Sequence, residues 1–262
     1  MRIKLMILFA GLFVGLALAC GSGIGGSTET RDDSFVVGDS PRVVVSSDNG
    51  RVIVNSGPDR TVSVKASLRK PDDIEYEITQ IGDVISIRAK MDDGGFLNFG
   101  RSPSADIEIT TPSNTGFELR TRNGRVEVYG IRQSGTVLTS NGKIVLDNVS
   151  GDFTIITSNG GVTITQAVGS FDIQTKNGRI KFDGELVLGG SNKMTTSNGS
   201  VEIKLQGTPS LELDASTSNG SIDTEYPILT SSPGDKNRLV GTIGTGEAVL
   251  LVRTSNGSVV IR

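Results

Sequence analysis

The 262-residue sequence contains no histidine, no tryptophan and a single cysteine, Cys20. Without histidine, the Ser-His-Asp and Cys-His nucleophile systems cannot be built, and the commoner zinc sites lose their usual ligands. We therefore expect a protein with no catalytic residues, no metal ion and no cofactor.

Carboxylates are the remaining groups that could support chemistry. Adjacent acidic pairs occur at Asp32-Asp33, Asp72-Asp73 and Asp92-Asp93, in segments typical of turns. They are either solvated charges or part of a calcium site, which needs six or more oxygen ligands. The glycine-rich calcium-binding nonapeptide is absent from the sequence, which favours solvated charges and leaves calcium as the alternative.

An excess of basic charge is also absent. The chain has 26 Lys and Arg against 29 Asp and Glu, a formal net charge of −3. Domains that bind nucleic acid usually carry a basic surface. We therefore expect no nucleic acid partner.

The sequence has no apolar run of the roughly 20 residues that a membrane span needs. Its most apolar segment, residues 5–18, follows Arg2 and Lys4 and precedes Ala17-Leu18-Ala19-Cys20. A basic start, a short apolar core and a small-residue cleavage site are typical of a secretory signal peptide. Residues 1–19 are therefore predicted to be removed on export.

The end of this leader resembles the lipobox of bacterial lipoproteins, although Ala17 stands where leucine is commonest. The resemblance implies cleavage before Cys20, lipid on its sulfur and on the new amino terminus, and attachment to a membrane of the bacterial cell envelope. An ordinary signal peptide with an incidental cysteine is the alternative. Residues 20–34 are predicted to be the lipidated cysteine and a flexible tether, because residues 21–33 are rich in Gly, Ser, Thr and charge.

What the chain has in abundance is one dipeptide, Asn-Gly, which occurs eight times. The residue two before the Asn is Thr in seven cases and Ser47 in the other. From Asn123 to Asn177 the spacing is 18, 18 and 18 residues, and it is then 21, 21 and 37. A fixed short period indicates stacked repeats. The sites are Asn49-Gly50, Asn123-Gly124, Asn141-Gly142, Asn159-Gly160, Asn177-Gly178, Asn198-Gly199, Asn219-Gly220 and Asn256-Gly257.

The repeats align without gaps when each Asn is counted as position 1. Positions 4 and 6 and positions 13, 15 and 17 are mostly apolar or Thr and alternate with polar residues, as in half-buried strands. We predict an all-β parallel solenoid of coils of roughly 18–21 residues, each with two short strands. The Asn-Gly pairs are predicted to be structural corners in left-handed backbone conformation. A two-residue hairpin at each Asn-Gly is the alternative, but hairpins would not require a constant spacing.

The domain is predicted to span residues 35–262, with an irregular cap in residues 35–112 and regular repeats in residues 113–262. Residues 75–90 are predicted to form a hairpin in the cap. The chain ends just after the predicted strand at residues 258–261, which would leave an open edge. We expect the insertion at residues 226–247 to cover that edge and keep the protein monomeric.

The alternation predicts two columns of side chains, one that points inward and one that points outward. Thr at position 17 is predicted to point into the core. Position 3 points outward and holds Arg51, Arg125, Lys143 and Arg179. This column is either a site for anionic glycan or lipid headgroups or a solvated face, and the acidic residues among its neighbours, such as Glu127, favour the solvated face.

Residues 47–54 (Ser-Asp-Asn-Gly-Arg-Val-Ile-Val) and their seven later relatives resemble the bacterial putative-adhesin family of β-strand-repeat domains of unknown function. The resemblance spans residues 35–262 and implies a β-solenoid exported to the cell envelope. We therefore expect a lipid-anchored envelope protein with a non-catalytic binding, adhesion or scaffolding role toward a glycan or protein. The alternatives are a β-helix enzyme that degrades polysaccharide and a lipoprotein that senses or regulates envelope stress.

Overall fold

The computed structural model describes residues 27–91, 102–230 and 237–262. Within these ranges the chain forms strands and one short 3-10 turn, Pro71–Asp73. The strands are β1 (Thr28–Val36), β2 (Arg42–Asn49), β3 (Val52–Ser56), β4 (Thr61–Arg69), β5 (Ile74–Ile81), β6 (Val84–Met91), β7 (Ser104–Thr111), β8 (Gly116–Asn123), β9 (Val126–Tyr129), β10 (Gly135–Asn141), β11 (Ile144–Asp147), β12 (Ser150–Asn159), β13 (Val162–Asn177), β14 (Ile180–Leu186), β15 (Ser191–Asn198), β16 (Val201–Leu205), β17 (Leu211–Asn219), β18 (Ile222–Thr224), β19 (Leu229–Thr230), β20 (Arg238–Ile243), β21 (Ala248–Asn256) and β22 (Val259–Ile261).

Equivalent strands of successive repeats stack in parallel, which excludes the hairpin alternative. Strands β8 and β9 flank Asn123-Gly124 and pair with β10 and β11 of the next coil instead of with each other. Paired residues are 18 apart in sequence between β10 and β12, as for Val137 and Ile155. The predicted all-β, β-helix-like architecture is confirmed.

Each coil contributes one strand to each of two sheets. The first sheet contains β6 and the strands that end at an Asn: β2, β8, β10, β12, the second half of β13, β15, β17 and β21. The second sheet contains the strands that follow the corner: β3, β7, β9, β11, the first half of β13, β14, β16, β18 and β22.

The core lies between the two sheets. Ile144, Val162 and Ile180, the position-4 residues of successive coils, are 0–1% exposed. The rings of Phe171 from the first sheet and Phe182 from the second meet edge to face, with centroids 4.9 Å apart. The core column predicted from the alternation is therefore buried, since side chains of both sheets point inward.

The order of the coils differs from the order of the chain at the C-terminal end. Strand β21 lies between β15 and β17, and β22 lies between β16 and β18. The prediction that the C-terminal strand is an open edge covered by residues 226–247 is therefore wrong. The insertion is long enough for the chain to return, so the last coil is inserted between two earlier ones and both of its edges are paired.

The end of the stack is the coil of β17 and β18. Strand β20, which belongs to the insertion, pairs antiparallel with β17 and also holds β19. Asp214 on β17 binds Arg253 on β21 at 2.5 Å and Arg238 on β20 at 3.3 Å. The hydrogen bond from Arg253, and then that from Arg238, lowers the pKa of the Asp214 carboxyl. The insertion thus covers the first-sheet edge of a different coil from the one expected.

The N-terminal end has the same kind of reordering. The coil of β2 and β3 lies between that of β6 and β7 and that of β8 and β9. The expected hairpin is present as the antiparallel pair β5 and β6. Strand β4 pairs antiparallel with β7, and β1 pairs antiparallel with β4. Residues 35–112 therefore combine two parallel coils with an antiparallel cap.

Strand β1 corrects the prediction of a flexible tether in residues 20–34. Residues 28–36 are a strand in full register with β4, from Thr28 opposite Arg69 to Val36 opposite Thr61. The polar composition of this segment suggested coil, but backbone hydrogen bonds to β4 hold it in the cap. Cys20 and residues 1–26 lie outside the described residues.

Replacing Ile144 with Ala tests the register of the core. Ile144 is fully buried, so its truncation leaves a cavity, and we expect a loss of about 2–5 kcal/mol in the free energy of unfolding. Val145, the next residue, is only half-buried, so Val145→Ala is the matched control with a much smaller loss. Equal losses for the two variants, measured by denaturant unfolding, would contradict the register.

Candidate functional site

The Asn-Gly corners stack so closely that only glycine fits. A β-carbon at Gly142 would lie 1.8 Å from the carbonyl oxygen of Gly124, and one at Gly160 would lie 1.9 Å from that of Gly142. The predicted left-handed conformation occurs at Gly50, Gly199 and Gly257, with φ of 121°, 157° and 155°. It is wrong for the other five corner glycines, which lie outside that range: Gly124, Gly142, Gly160, Gly178 and Gly220. Glycine is required there by the contact between coils.

The asparagines of the corners form a ladder of side-chain amides. Asn141 donates its Nδ2 to Oδ1 of Asn123 at 2.8 Å, and Asn159 and Asn177 repeat this bond to the coil before them at the same distance. The ladder continues through Asn198 and Asn256 to Asn219. One amide hydrogen of each donor is used in this way, and the other remains on an exposed edge.

The threonine column at position 17 points inward as predicted. Thr175 is 6% exposed, and its hydroxyl donates to the carbonyl oxygen of Gly160 at 3.0 Å. Thr196 and Thr254 make the same bond to Gly178 and Gly199. This column therefore ties the first sheet to the corner of the neighbouring coil.

Substitution of Gly160 separates crowding from backbone strain. Gly160→Ala places a methyl group against a carbonyl oxygen of the adjacent coil, so we expect a loss of about 1–3 kcal/mol or more, as in overpacked cores. The control is Gly161→Ala, whose β-carbon would meet its nearest neighbour at 3.3 Å. Thermal unfolding of both variants measures the difference, and an unaffected Gly160→Ala would contradict the stacking argument.

A groove of about 380 Å³ runs along the stack where the first-sheet strands begin. It crosses six successive coils, from β2 to β15. With about 4.8 Å between neighbouring strands, its length is about 24 Å. Its lining consists of Arg42, Gly116, Phe117, Ser134, Gly135, Thr136, Asp152, Phe153, Thr154, Ser170, Phe171, Asp172 and Ser191.

A stack of phenylalanines at position 13 forms the floor of the groove. The rings of Phe117 and Phe153 are 6.0 Å apart, and those of Phe153 and Phe171 are 5.5 Å apart. The ring of Phe117 fills the place of a side chain at Gly135, where a β-carbon would lie 2.2 Å from it. The stack ends at Phe171, because the next coil has the buried Asn192 at this position. The Oδ1 of Asn192 accepts a hydrogen bond from the backbone N–H of Phe171 at 2.9 Å.

The walls of the groove carry hydroxyl and charged groups from positions 12 and 14. Asp152 and Asp172 contribute carboxylates, and the Nε2 of Gln174 donates to Oδ1 of Asp172 at 3.0 Å. At the other end Arg42 pairs with Glu118 at 3.0 Å. The pKa of the Glu118 carboxyl is lowered chiefly by the hydrogen bond from Arg120, which lies 2.7 Å away. The groove can thus offer both donors and acceptors to a polar ligand.

The acidic pairs of the sequence do not contribute to the groove. Asp32-Asp33 lies on β1, Asp72-Asp73 lies in the 3-10 turn, and Asp92-Asp93 lies outside the described residues. No group of three or more Asp, Glu, His or Cys side chains suited to a metal occurs in the part of the chain that the structure describes. The groove was not predicted from the sequence, although the phenylalanines that align at position 13 indicate where it lies.

The chain belongs to the Toastrack DUF4097 family, whose model matches residues 97–262. No curated protein matches the chain.

Solved structures of bacterial proteins resemble the fold at low sequence identity. A putative adhesin from Bacteroides fragilis is 11% identical, with a TM-score of 0.52 over 92% of this chain and 100% of that one. A putative adhesin from Parabacteroides distasonis is 11% identical, with a TM-score of 0.41 over 91% and 99% of the two chains. A putative cell adhesion protein from Clostridium sporogenes is 11% identical, with a TM-score of 0.38 over 89% and 99%. The first of these likenesses supports the fold.

Proposed function

We propose that this protein is a lipid-anchored component of the bacterial cell envelope with a non-catalytic role in binding, adhesion or scaffolding. The observation that carries the proposal is the groove over the phenylalanine stack. The adhesin-like name of the solved relative from Bacteroides fragilis agrees with such a role.

The form of the groove favours an extended polar ligand, such as an envelope glycan. Ser134, Asp152 and Ser170 occupy the same position in successive coils, so similar polar groups recur about every 4.8 Å along the groove. The aromatic floor is buried, with Phe171 at 0% exposure, so a ligand meets the polar groups of the walls together with the apolar atoms beside them. A chain with regularly spaced hydroxyl groups matches such a surface.

A bulky side chain in the groove tests this assignment. Thr154→Trp should obstruct the groove. On a glycan array, this variant should no longer bind the glycan that the unaltered protein binds. Thr195→Trp is the control, since Thr195 is an equally half-buried threonine of the same sheet outside the groove. Binding that survives Thr154→Trp, in a variant with an unchanged thermal midpoint, would place the ligand elsewhere.

The alternative of a polysaccharide-degrading enzyme draws on one observation, the two carboxylates of Asp152 and Asp172 in the groove. They lie on adjacent coils and two positions apart, which puts their α-carbons about 8 Å from each other. Glycoside hydrolases use carboxylate pairs at separations of about 5–9.5 Å. Release of reducing ends from a bound glycan, lost in Asp152→Asn, would support the enzyme and overturn the binding role.

The anchor rests on the sequence of the leader and on Cys20. No helix in residues 27–91, 102–230 and 237–262 is long and apolar enough to cross a membrane.

Cys20→Ser tests the anchor directly. The full-length chain, produced in a bacterium that processes lipoproteins, should sediment with membranes and carry the added mass of acyl chains. The serine variant cannot form the thioether to lipid, so it should lose that mass and either leave the membrane fraction or remain unprocessed. Unchanged mass and unchanged membrane retention would contradict the anchor.

A further inference from the structure

A column of basic side chains follows the Asn-Gly corners along the solenoid. Its members occupy position 3 of successive coils, and the cationic ones are exposed. We call it the basic column, and from one coil to the next it consists of Arg51, Arg125, Lys143, Gly161 and Arg179. Four steps of about 4.8 Å give it a length of about 19 Å.

The backbone of the basic column offers N–H groups as well as cations. The N–H groups on either side of position 3 bind the next coil: Gly124 donates to Asn141 and Val126 donates to Lys143. The N–H of Arg125 itself has no acceptor among the residues that the structure describes. The same holds, within those ranges, for the N–H groups of Lys143, Gly161 and Arg179.

One coil shows how an anion satisfies such an N–H group. The N–H of Arg51 donates to the carboxylate of Asp106 at 2.8 Å. Asp106 occupies position 3 of the adjacent coil, next to Ile107, which is paired with Val52. Asp106 thus occupies beside Arg51 the place that Gly161, which has no side chain, occupies beside Arg179.

The corner at Asn159 is the one corner of the basic column whose position 3 is glycine instead of a cationic residue. Its flanking residues are Ser158 and Gly161, whereas Lys143 precedes it by one coil and Lys176 and Arg179 follow it by one coil. Lys143 and Lys176 have no ion-pair partner in the described part of the chain. Gly161 therefore leaves a notch bordered by cations, with the N–H of Arg179 at its edge.

We propose that the basic column binds the carboxylate groups of an acidic polysaccharide. One carboxylate occupies the Gly161 notch, accepts the N–H of Arg179 as Asp106 accepts that of Arg51, and lies between the charges of Lys143 and Arg179. Charge-assisted hydrogen bonds of this type are the stronger ones. The neighbouring asparagine ladder presents amide hydrogens that suit the hydroxyl groups of a sugar chain.

The arrangement favours a linear polymer over a lipid surface. The cations and the amides lie along a single edge that follows the axis of the stack, and they are spaced by the coils. The groove lies where the first-sheet strands begin, and the basic column lies just beyond their ends. The two surfaces are therefore separate, and the basic column does not depend on the role proposed for the groove.

Gly161→Asp and Gly161→Asn form a matched pair that differs only in charge. The aspartate should take the N–H of Arg179 and neutralise the adjacent cations, so binding to polygalacturonate should weaken about tenfold or more, the value of one charge-assisted hydrogen bond. The asparagine also fills the notch, and its Oδ1 can accept the N–H of Arg179, but it leaves the adjacent cations unneutralised, so this variant should bind less tightly than the unaltered protein and clearly more tightly than the aspartate variant. Biolayer interferometry with immobilised polygalacturonate measures both, and uncharged dextran should not bind.

A second pair of variants keeps the test informative if Gly161→Asp does not fold. The double variant Lys143→Ser/Arg179→Ser should lose binding, and Lys65→Ser/Arg88→Ser removes the same charge from exposed strand positions outside the column and should retain it. Binding should weaken with added salt and persist in Thr154→Trp. Equal affinities for Gly161→Asp and Gly161→Asn, equal losses in the two double variants, or binding to anionic phospholipid vesicles but not to polygalacturonate would overturn the proposal.

Discussion

At every Asn-Gly corner, the glycine approaches the backbone of the neighbouring coil so closely that a β-carbon would lie 1.8–2.1 Å from a carbonyl oxygen. This contact sets the distance between coils at one edge of the molecule and leaves no tolerance for a larger residue. The asparagine ladder and the threonine column bind the same edge from both sides, with bonds such as Asn141 to Asn123 and Thr175 to Gly160. The repeats depend on this edge, because the two strands that flank each Asn-Gly pair meet there.

A fixed distance between coils converts a position in the repeat into a line of side chains on the surface. The phenylalanines at position 13 become a continuous floor, and the polar residues beside them become the walls of a groove. At position 3 the same rule brings Lys143 and Arg179 to either side of Gly161. Both proposed sites are therefore built from columns, and a single small residue such as Gly161 opens a gap in an otherwise regular line.

The two ends of the stack show how the fold deals with open edges. At each end the order of the coils in space differs from their order in the chain. Strand β2 lies between β6 and β8, and β21 lies between β15 and β17, all in parallel. Antiparallel strands then pair with the outermost first-sheet strands, β5 with β6 and β20 with β17. Paired edges offer few free backbone groups to other chains, and the ion pairs of Asp214 with Arg253 and Arg238 join the last coils to their cap.

The sequence by itself determined the all-β class, the stacking of repeats, the inward threonines and the buried column that includes Ile144, because alternation and spacing are local properties of the chain. It also indicated that glycine is required at the corners. The predicted reason was left-handed backbone conformation, but at Gly160 and four others the structure shows that the reason is a close contact between coils, which the sequence of a single coil does not reveal. Only the tertiary structure decided the order of the coils, the pairing of Thr28–Val36 with the cap, and the groove. These depend on hydrogen bonds and contacts between residues far apart in sequence, such as Asn198 and Asn256, for which a repeat pattern offers several equivalent partners.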